Sequence, residues 1–368
     1  MATLPYIDAS TRAQYDATLL PQEEPWRARQ PFLKSKGYLL RSRLQAGWKP
    51  SWSGNVMARW TSEDAILTPA RASLIDARRI SDNELVYIKR LRTDCTEMQI
   101  ATFLASETHS RDPRNHCVPV LDTFGDPDDP EFSYMVMPFL REMESPPFAV
   151  VDEVVDFADQ ILEGLAFLHE QRVAHRDCTR RNLLMDGNAL FPSGFHPINQ
   201  MSLPDASGPA PYRNRSDVPV RYYYVDFGIS VYFHAERENK LVLGMDGRDQ
   251  EVPELSSKIP YDPYKVDIFI IGNVFRRTFH DKYTNVEFLL PLVEAMTQTD
   301  PTRRPDAHSA LLQWHQIRST ISLLQRKWRL RPRQDSWLAH LFFDTISLVR
   351  LVGYSGKRIG RWGAETQG

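Results

Sequence analysis

The stretch VAHRDCTRRNLLMD, residues 173–186, limits what this chain can fold into more than any other. His175, Arg176, Asp177, Arg180 and Arg181 stand between two apolar blocks, Val173–Ala174 and Leu183–Leu184–Met185. A surface helix can carry that much charge, but its apolar residues then recur every three or four positions. Here they form two short blocks, and the polar loop between them is brought close to the core.

The surrounding chain changes character on either side of this loop. Residues 1–36 are polar and proline-punctuated and read as an N-terminal extension. From Gly37 to about Phe139 short β-rich runs dominate (GYLLRSRL, ELVYIKRL, VPVLDTF and SYMVMPFL), and the alternation of the first two predicts strands. One helix, TEMQIATFLAS, interrupts them. Beyond it, Val154, Phe157, Ile161, Leu165 and Leu168 fall at helical spacing, and further helices are predicted at YKVDIFIIGNVFRRTF, EFLLPLVEAM and AHSALLQWHQI. A small β-rich part followed by a larger helical one predicts an α+β fold of two lobes, with residues 37–138 and 139–318 as their spans. Residues 187–221 are rich in Pro, Gly, Ser and Asn without a period, and read as a long surface insertion.

Downstream of the opening loop, the β-prone run Arg221–Val225 leads into Asp226–Phe227–Gly228; upstream, Val86–Tyr87–Ile88–Lys89 is a strand carrying one lysine. In this order the pieces resemble the signature set of the eukaryotic protein-kinase-like superfamily. His175–Arg176–Asp177 with Asn182 matches the catalytic loop, Asp226–Phe227–Gly228 the metal-binding turn and Lys89 the strand lysine. Val252–Pro253–Glu254, Asp267 and Arg304 resemble the end of the activation region, the core-helix aspartate and the arginine that pairs with the glutamate. Met137–Pro138–Phe139–Leu140 resembles the hinge, where the Pro138 carbonyl and Leu140 backbone would meet adenine. The resemblance spans roughly residues 37–318 and is closest to the kinase-like proteins of mushroom-forming fungi.

The resemblance implies a bilobal protein-kinase-like fold and transfer of the γ-phosphate of ATP to a protein Ser/Thr or Tyr hydroxyl. Phosphoryl transfer is mostly positioning and charge neutralisation. Mg²⁺ prefers hard oxygen ligands, which the Asp226 carboxylate and the Asn182 amide supply. Lys89 would place positive charge on the α- and β-phosphates, held by Glu97, with Glu107 as the alternative partner. Asp177 would accept or orient the acceptor proton, and Arg181 would neutralise the γ-phosphate. The polar loop lies near the core because flanking strands hold Asp177 and Asn182 in register.

Several departures keep other readings open. No GxGxxG precedes Lys89; RSRLQAGWKPSW stands there, and Arg41 or Arg43 is the candidate substitute. Thr179 occupies the position two after Asp177, so the acceptor amino acid stays open. Little room for a substrate-docking helix remains between Phe279 and Pro291. Residues 231–255 contain no Ser or Thr, which leaves Glu236 or Glu238 as an acidic partner for Arg176. A pseudokinase acting as a binding or scaffold module is the first alternative, and a small-molecule phosphotransferase the second.

Composition sets outer limits. The net charge is −2, which argues against a nucleic-acid binder. Three scattered cysteines define no metal or disulfide framework, and Cys178 reads as a small buried filler. The N-terminus shows no signal peptide and no run reaches the roughly 18 apolar residues of a membrane span, so a cytoplasmic location is expected, with the nucleus as alternative. The tail, 319–368, carries the basic run RKWRLRPR and an amphipathic segment at 336–361. That segment either packs on the helical part or gives residues 326–361 a peripheral contact with an anionic membrane.

Overall fold

Alternation along the strand β3, Leu85–Arg92, organises the first of two units into which the chain divides. In the computed structural model, residues 18–52, 58–69, 73–234 and 240–349 are described. The architecture is mixed α+β. The first unit comprises residues 1–106, 118–141 and 185–220, and the second residues 107–117, 142–184 and 221–368.

In the first unit, β3 lies at the centre of an antiparallel sheet. Its other strands are β1 (Tyr38–Leu39), β2 (Leu74–Arg79), β4 (Asp122–Gly125) and β5 (Phe132–Pro138), in the order β1-β2-β3-β5-β4. Side chains alternate across a sheet, so Val86 and Ile88 enter the core while Tyr87 and Lys89 face the other way. Val86 and Ile88 pack with Ile75, Ala77, Tyr134 and Val136. Helix α1, Glu24–Ser35, covers this core with Trp26 and Leu33, both buried. The supposed N-terminal extension is therefore corrected in part: its second half is a core helix, hidden in the sequence by Pro25 and the internal Pro31. One β prediction also shifts, and one strand is additional. GYLLRSRL yields only the two-residue β1 before a 3₁₀ turn at Ser42–Leu44, and β2 was not foreseen.

Residues 187–220 are likewise corrected. They belong to the sheet unit and bury Leu190, Phe191, Phe195 and His196. The Arg141 guanidinium, itself fully buried, lies 4.0 Å over the Phe191 ring and 4.4 Å over the Phe195 ring and donates to the Gln200 carbonyl at 2.7 Å. Aromatic anchors at irregular spacing supply the burial that a periodic pattern would have advertised.

The second unit is built on α3, Val151–Glu170. Its predicted stripe is buried, with Val154, Phe157, Ile161, Leu165 and Leu168 all at 0% exposure. Glu153 starts the helix by accepting the Ala149 amide at 2.6 Å, and Arg172 in the left-handed region, φ 61°, follows its end. Fully burying a residue such as Phe157 stabilises by roughly 1.5–3 kcal/mol. Helices α4 (Pro263–Phe275), α5 (Leu290–Met296) and α6 (Ala307–Thr320) follow. Between His280, which ends a π-helical turn, and Leu290, where α5 starts, the chain forms a 3₁₀ turn at Glu287–Leu289.

Every basic residue of the run 326–333 pairs with a carboxylate within the chain. Arg326 and Lys327 pair with Asp152 at 2.6 and 2.9 Å, Arg329 and Arg331 with Asp344, and Arg333 with Glu287. A helix over residues 337–349 leaves Trp337, Leu338, Leu341 and Phe342 exposed, so over the described residues these side chains do not pack as a core element. The rest of the amphipathic segment lies outside the described residues. Among the described residues no helix is long and apolar enough to cross a membrane.

Candidate functional site

Two clusters of the expected residues form, one in each unit. In the first unit, Lys89 and Glu97 form an ion pair at 2.5 Å with both side chains mostly shielded. The connection is short because Asp94 takes a left-handed φ of 59°, so that α2 (Thr96–Leu104) begins four residues after β3 ends. Glu97 thus falls in the first helical turn. Glu107, the alternative, is exposed and pairs with Arg111.

The same face of β3 carries Tyr87, whose ring stacks on Phe139 at 4.3 Å and 22°. Phe139 in turn meets Phe195 at 5.6 Å. Met137 and Pro138 remain inside the sheet, opposite Tyr87 and Val86, and Leu140 is buried. Neither proposed stand-in for the glycine loop is available. Arg43 is fully buried on Glu23 at 2.9 Å. Arg41 is held by Asp76 at 3.2 Å, Thr68 at 2.7 Å and the Ile66 carbonyl at 2.8 Å. Arginines placed in ion pairs at such low exposure leave only at the cost of abandoning a buried charge.

In the second unit the opening loop is pinned from beneath by Asp267 of α4. Its fully buried carboxylate accepts the His175 amide at 2.8 Å, the Arg176 amide at 2.6 Å and a hydrogen bond with His169 at 3.0 Å. Cys178 donates to it as well, and burial pushes that thiol well above its ordinary range. It is a filler, as read. His175 is a scaffold: its Nε2 lies 3.0 Å from the Val225 carbonyl, and its ring packs 5.2 Å from Phe227. Arg304 and Glu254 form a bidentate pair, with Nη2–Oε2 at 2.9 Å.

Asp177 and Asn182 are joined directly. The Asn182 amide nitrogen donates to the Asp177 carboxylate and to its main-chain carbonyl, both at 2.9 Å. That leaves the amide oxygen as the group Asn182 can offer a hard cation. Its backbone carbonyl accepts the Val225 amide at 3.0 Å, which fixes the residue preceding Asp226 beside it. Asp226 adopts a left-handed φ of 65°. An amide oxygen and a carboxylate are the hard donor types that suit Mg²⁺, and the main chain sets Asp226 next to the residue bonded to Asn182. Thr179 adds an observation of the same kind: its hydroxyl is shielded from solvent with no hydrogen-bond partner among the described residues. Arg181 is exposed and makes no ion pair among the described residues.

Sequence reasoning missed what covers Asp177. The Arg248 amide donates to its Oδ1 at 2.8 Å and the Arg248 Nε to its Oδ2 at 3.2 Å. The only sequence signal was GMDGRD, two glycines in a stretch lacking hydroxyls. Arg176, expected to meet an acid, instead donates to the Ile229 carbonyl at 3.0 Å, the Leu243 carbonyl at 3.3 Å and the Tyr261 hydroxyl at 3.2 Å. Glu236 and Glu238 lie outside the described residues. A scan against protein-family models finds no match for the chain.

Proposed function

We propose that this chain is a protein-kinase-like phosphotransferase that uses ATP and Mg²⁺ to phosphorylate a protein hydroxyl, on a bilobal fold of a β-rich and a helical lobe. The observation that carries the reading is the Asp177–Asn182 pair at 2.9 Å on a loop whose backbone is anchored by a buried carboxylate. A loop held this way keeps a base and a metal ligand at fixed separation, the positioning on which phosphoryl transfer depends.

In this mechanism Asp177 takes the proton of the acceptor hydroxyl as its oxygen bonds to the γ-phosphorus, and ADP leaves with the pair of electrons from the broken bond. Lys89, oriented by Glu97, binds the α- and β-phosphates. Asn182 and Asp226 would hold Mg²⁺, which supplies positive charge to the phosphate oxygens. Arg181 is available for the γ-phosphate, and Thr179 has a hydroxyl to donate.

A pseudokinase is the second reading, favoured by the Tyr87–Phe139 stack beside Met137, where the resemblance places adenine. A thermal-shift titration with Mg²⁺-ATP, wild type beside Asp226→Asn, separates the two. At about 100 times its Kd, ATP stabilises by roughly 2.7 kcal/mol. A shift in the wild type that needs Mg²⁺ and is lost in Asp226→Asn supports phosphotransfer. No shift at millimolar nucleotide overturns it in favour of the binding module.

A further inference from the structure

Ser336 starts the helix over residues 337–349, its hydroxyl accepting the Ala339 amide at 3.3 Å. At roughly 3.6 residues per turn, Trp337, Leu338, Leu341, Phe342, Leu348 and Val349 fall on one arc of about 140°, shared only with Thr345. A helix on a globular domain ordinarily turns such an arc toward the core. Here it is turned outward, and all six side chains are at least 52% exposed. The polar edge faces the protein instead. Asp344 accepts from Arg329 at 2.7 Å and pairs with Arg331, and the His340 carbonyl accepts from Arg329 at 3.3 Å.

This inverted setting is fixed by the chain that leads into the helix. Main-chain bonds lace that chain to the rest of its unit: the Val151 amide donates to the Trp328 carbonyl at 3.0 Å, the Leu330 amide to the Ala149 carbonyl at 2.8 Å and the Thr284 amide to the Arg331 carbonyl at 2.8 Å. Arg329 and Arg331 therefore stand at set positions, and both reach Asp344. The Arg329 guanidinium also lies 5.4 Å over the Phe343 ring. Rolling the apolar arc inward would break both ion pairs to Asp344 and leave the two guanidinium groups against apolar side chains.

Charge identifies what the arc meets. Residues 326–361 hold nine Lys and Arg against two Asp, a balance of +7, whereas the rest of the chain, with 36 basic and 45 acidic residues, stands at −9. Asp152 and Glu287 add two carboxylates to Asp335 and Asp344, so five positive charges remain uncompensated around the helix. We infer that the helix over residues 337–349 is an interfacial anchor that lies on an anionic phospholipid surface, with its apolar arc among the acyl chains and the flanking basic residues on the headgroup phosphates. A second copy on the same face would bring two segments of +7 together, which like-charge repulsion opposes. The anchor does not depend on phosphate transfer by the chain.

The test sediments the full chain with vesicles of phosphatidylcholine containing roughly 30% phosphatidylserine, and with phosphatidylcholine alone. Leu341→Gln with Phe342→Gln removes apolar surface without changing charge. Both residues are exposed, so Tm should not move; Trp337→Gln alone repeats the test if the double variant melts early. Light scattering gives the oligomeric state. Wild type should bind the anionic vesicles and leave the neutral ones. The double variant should bind about tenfold more weakly or worse, since two apolar side chains leave the interface. Raising salt from about 0.1 to about 0.5 M should weaken wild-type binding several-fold. Equal binding by variant and wild type, or equal binding to neutral vesicles, overturns the anchor. So does absence of wild-type binding: the arc then belongs to a second copy if the wild type is a dimer that the variant splits, and to a protein partner if it is a monomer.

Discussion

Asp267 offers the sharpest test of how the candidate site is held, and it does not depend on catalysis. Its buried carboxylate is the acceptor for two consecutive main-chain amides, His175 and Arg176, and for His169. In Asp267→Ala both amides are left without an acceptor. Each charge-assisted bond of this kind contributes roughly 1.5–3 kcal/mol, so the loss is about 3–6 kcal/mol. That is a large part of the roughly 5–15 kcal/mol that keeps a typical domain folded. Asp267→Asn retains one acceptor oxygen but turns an N–H₂ toward a second N–H, for a loss of about 2–4 kcal/mol. Urea denaturation followed by circular dichroism measures both, and the midpoint should fall with little change in slope. If Asp267→Asn lies within about 1 kcal/mol of wild type, the loop is held by something other than this carboxylate.

Other expectations follow from single contacts. His116 is buried, with Nδ1 2.9 Å from the Tyr222 carbonyl, and burial lowers its pKa to about 4. The unfolded chain, near 6.5, binds the extra proton between those values, so stability is full above about pH 6.5 and declines as pH falls toward 4. The span is on the order of 3 kcal/mol, and His116→Gln should flatten that part of a urea-midpoint profile against pH. Gly164→Ala would drive a Cβ to 2.7 Å from the His116 Cβ and 2.9 Å from the Tyr224 ring. It should cost about 1–3 kcal/mol in the same denaturation assay, and an unchanged midpoint would mean that α3 shifts freely. Lys89→Met removes the partner of Glu97. It should abolish the Mg²⁺-ATP thermal shift, while Arg181→Ala should leave that shift in place and lower phosphate transfer.

Some of this protein is legible residue by residue. Val154, Phe157, Ile161, Leu165 and Leu168 announce α3, because a stripe that must be buried repeats with the helical period. Likewise, the apolar alternation of Val86 and Ile88 around Tyr87 and Lys89 gives β3 and the face its lysine occupies. Of the two candidate partners for Lys89, Glu97 forms the ion pair, while Glu107 pairs with Arg111. Elements held by non-periodic contacts were not legible. Helix α1 carries two prolines, and the 187–220 segment is anchored by Arg141 and a few aromatic rings. Neither leaves a repeating mark in the chain.

The sequence by itself determined which chemical groups exist and which local elements carry them: a lysine on a strand, and an aspartate five residues before an asparagine between two apolar blocks. These are properties of neighbours along the chain, where period and turn chemistry act. Only the tertiary structure decided which of those groups are already engaged. Arg41 and Arg43 are consumed by buried carboxylates, and Asp177 is covered by Arg248, 71 residues away in the chain. Hydrogen bonds and ion pairs depend on distances of about 3 Å in space, and residues so far apart in sequence acquire those distances only when the core beneath them has formed.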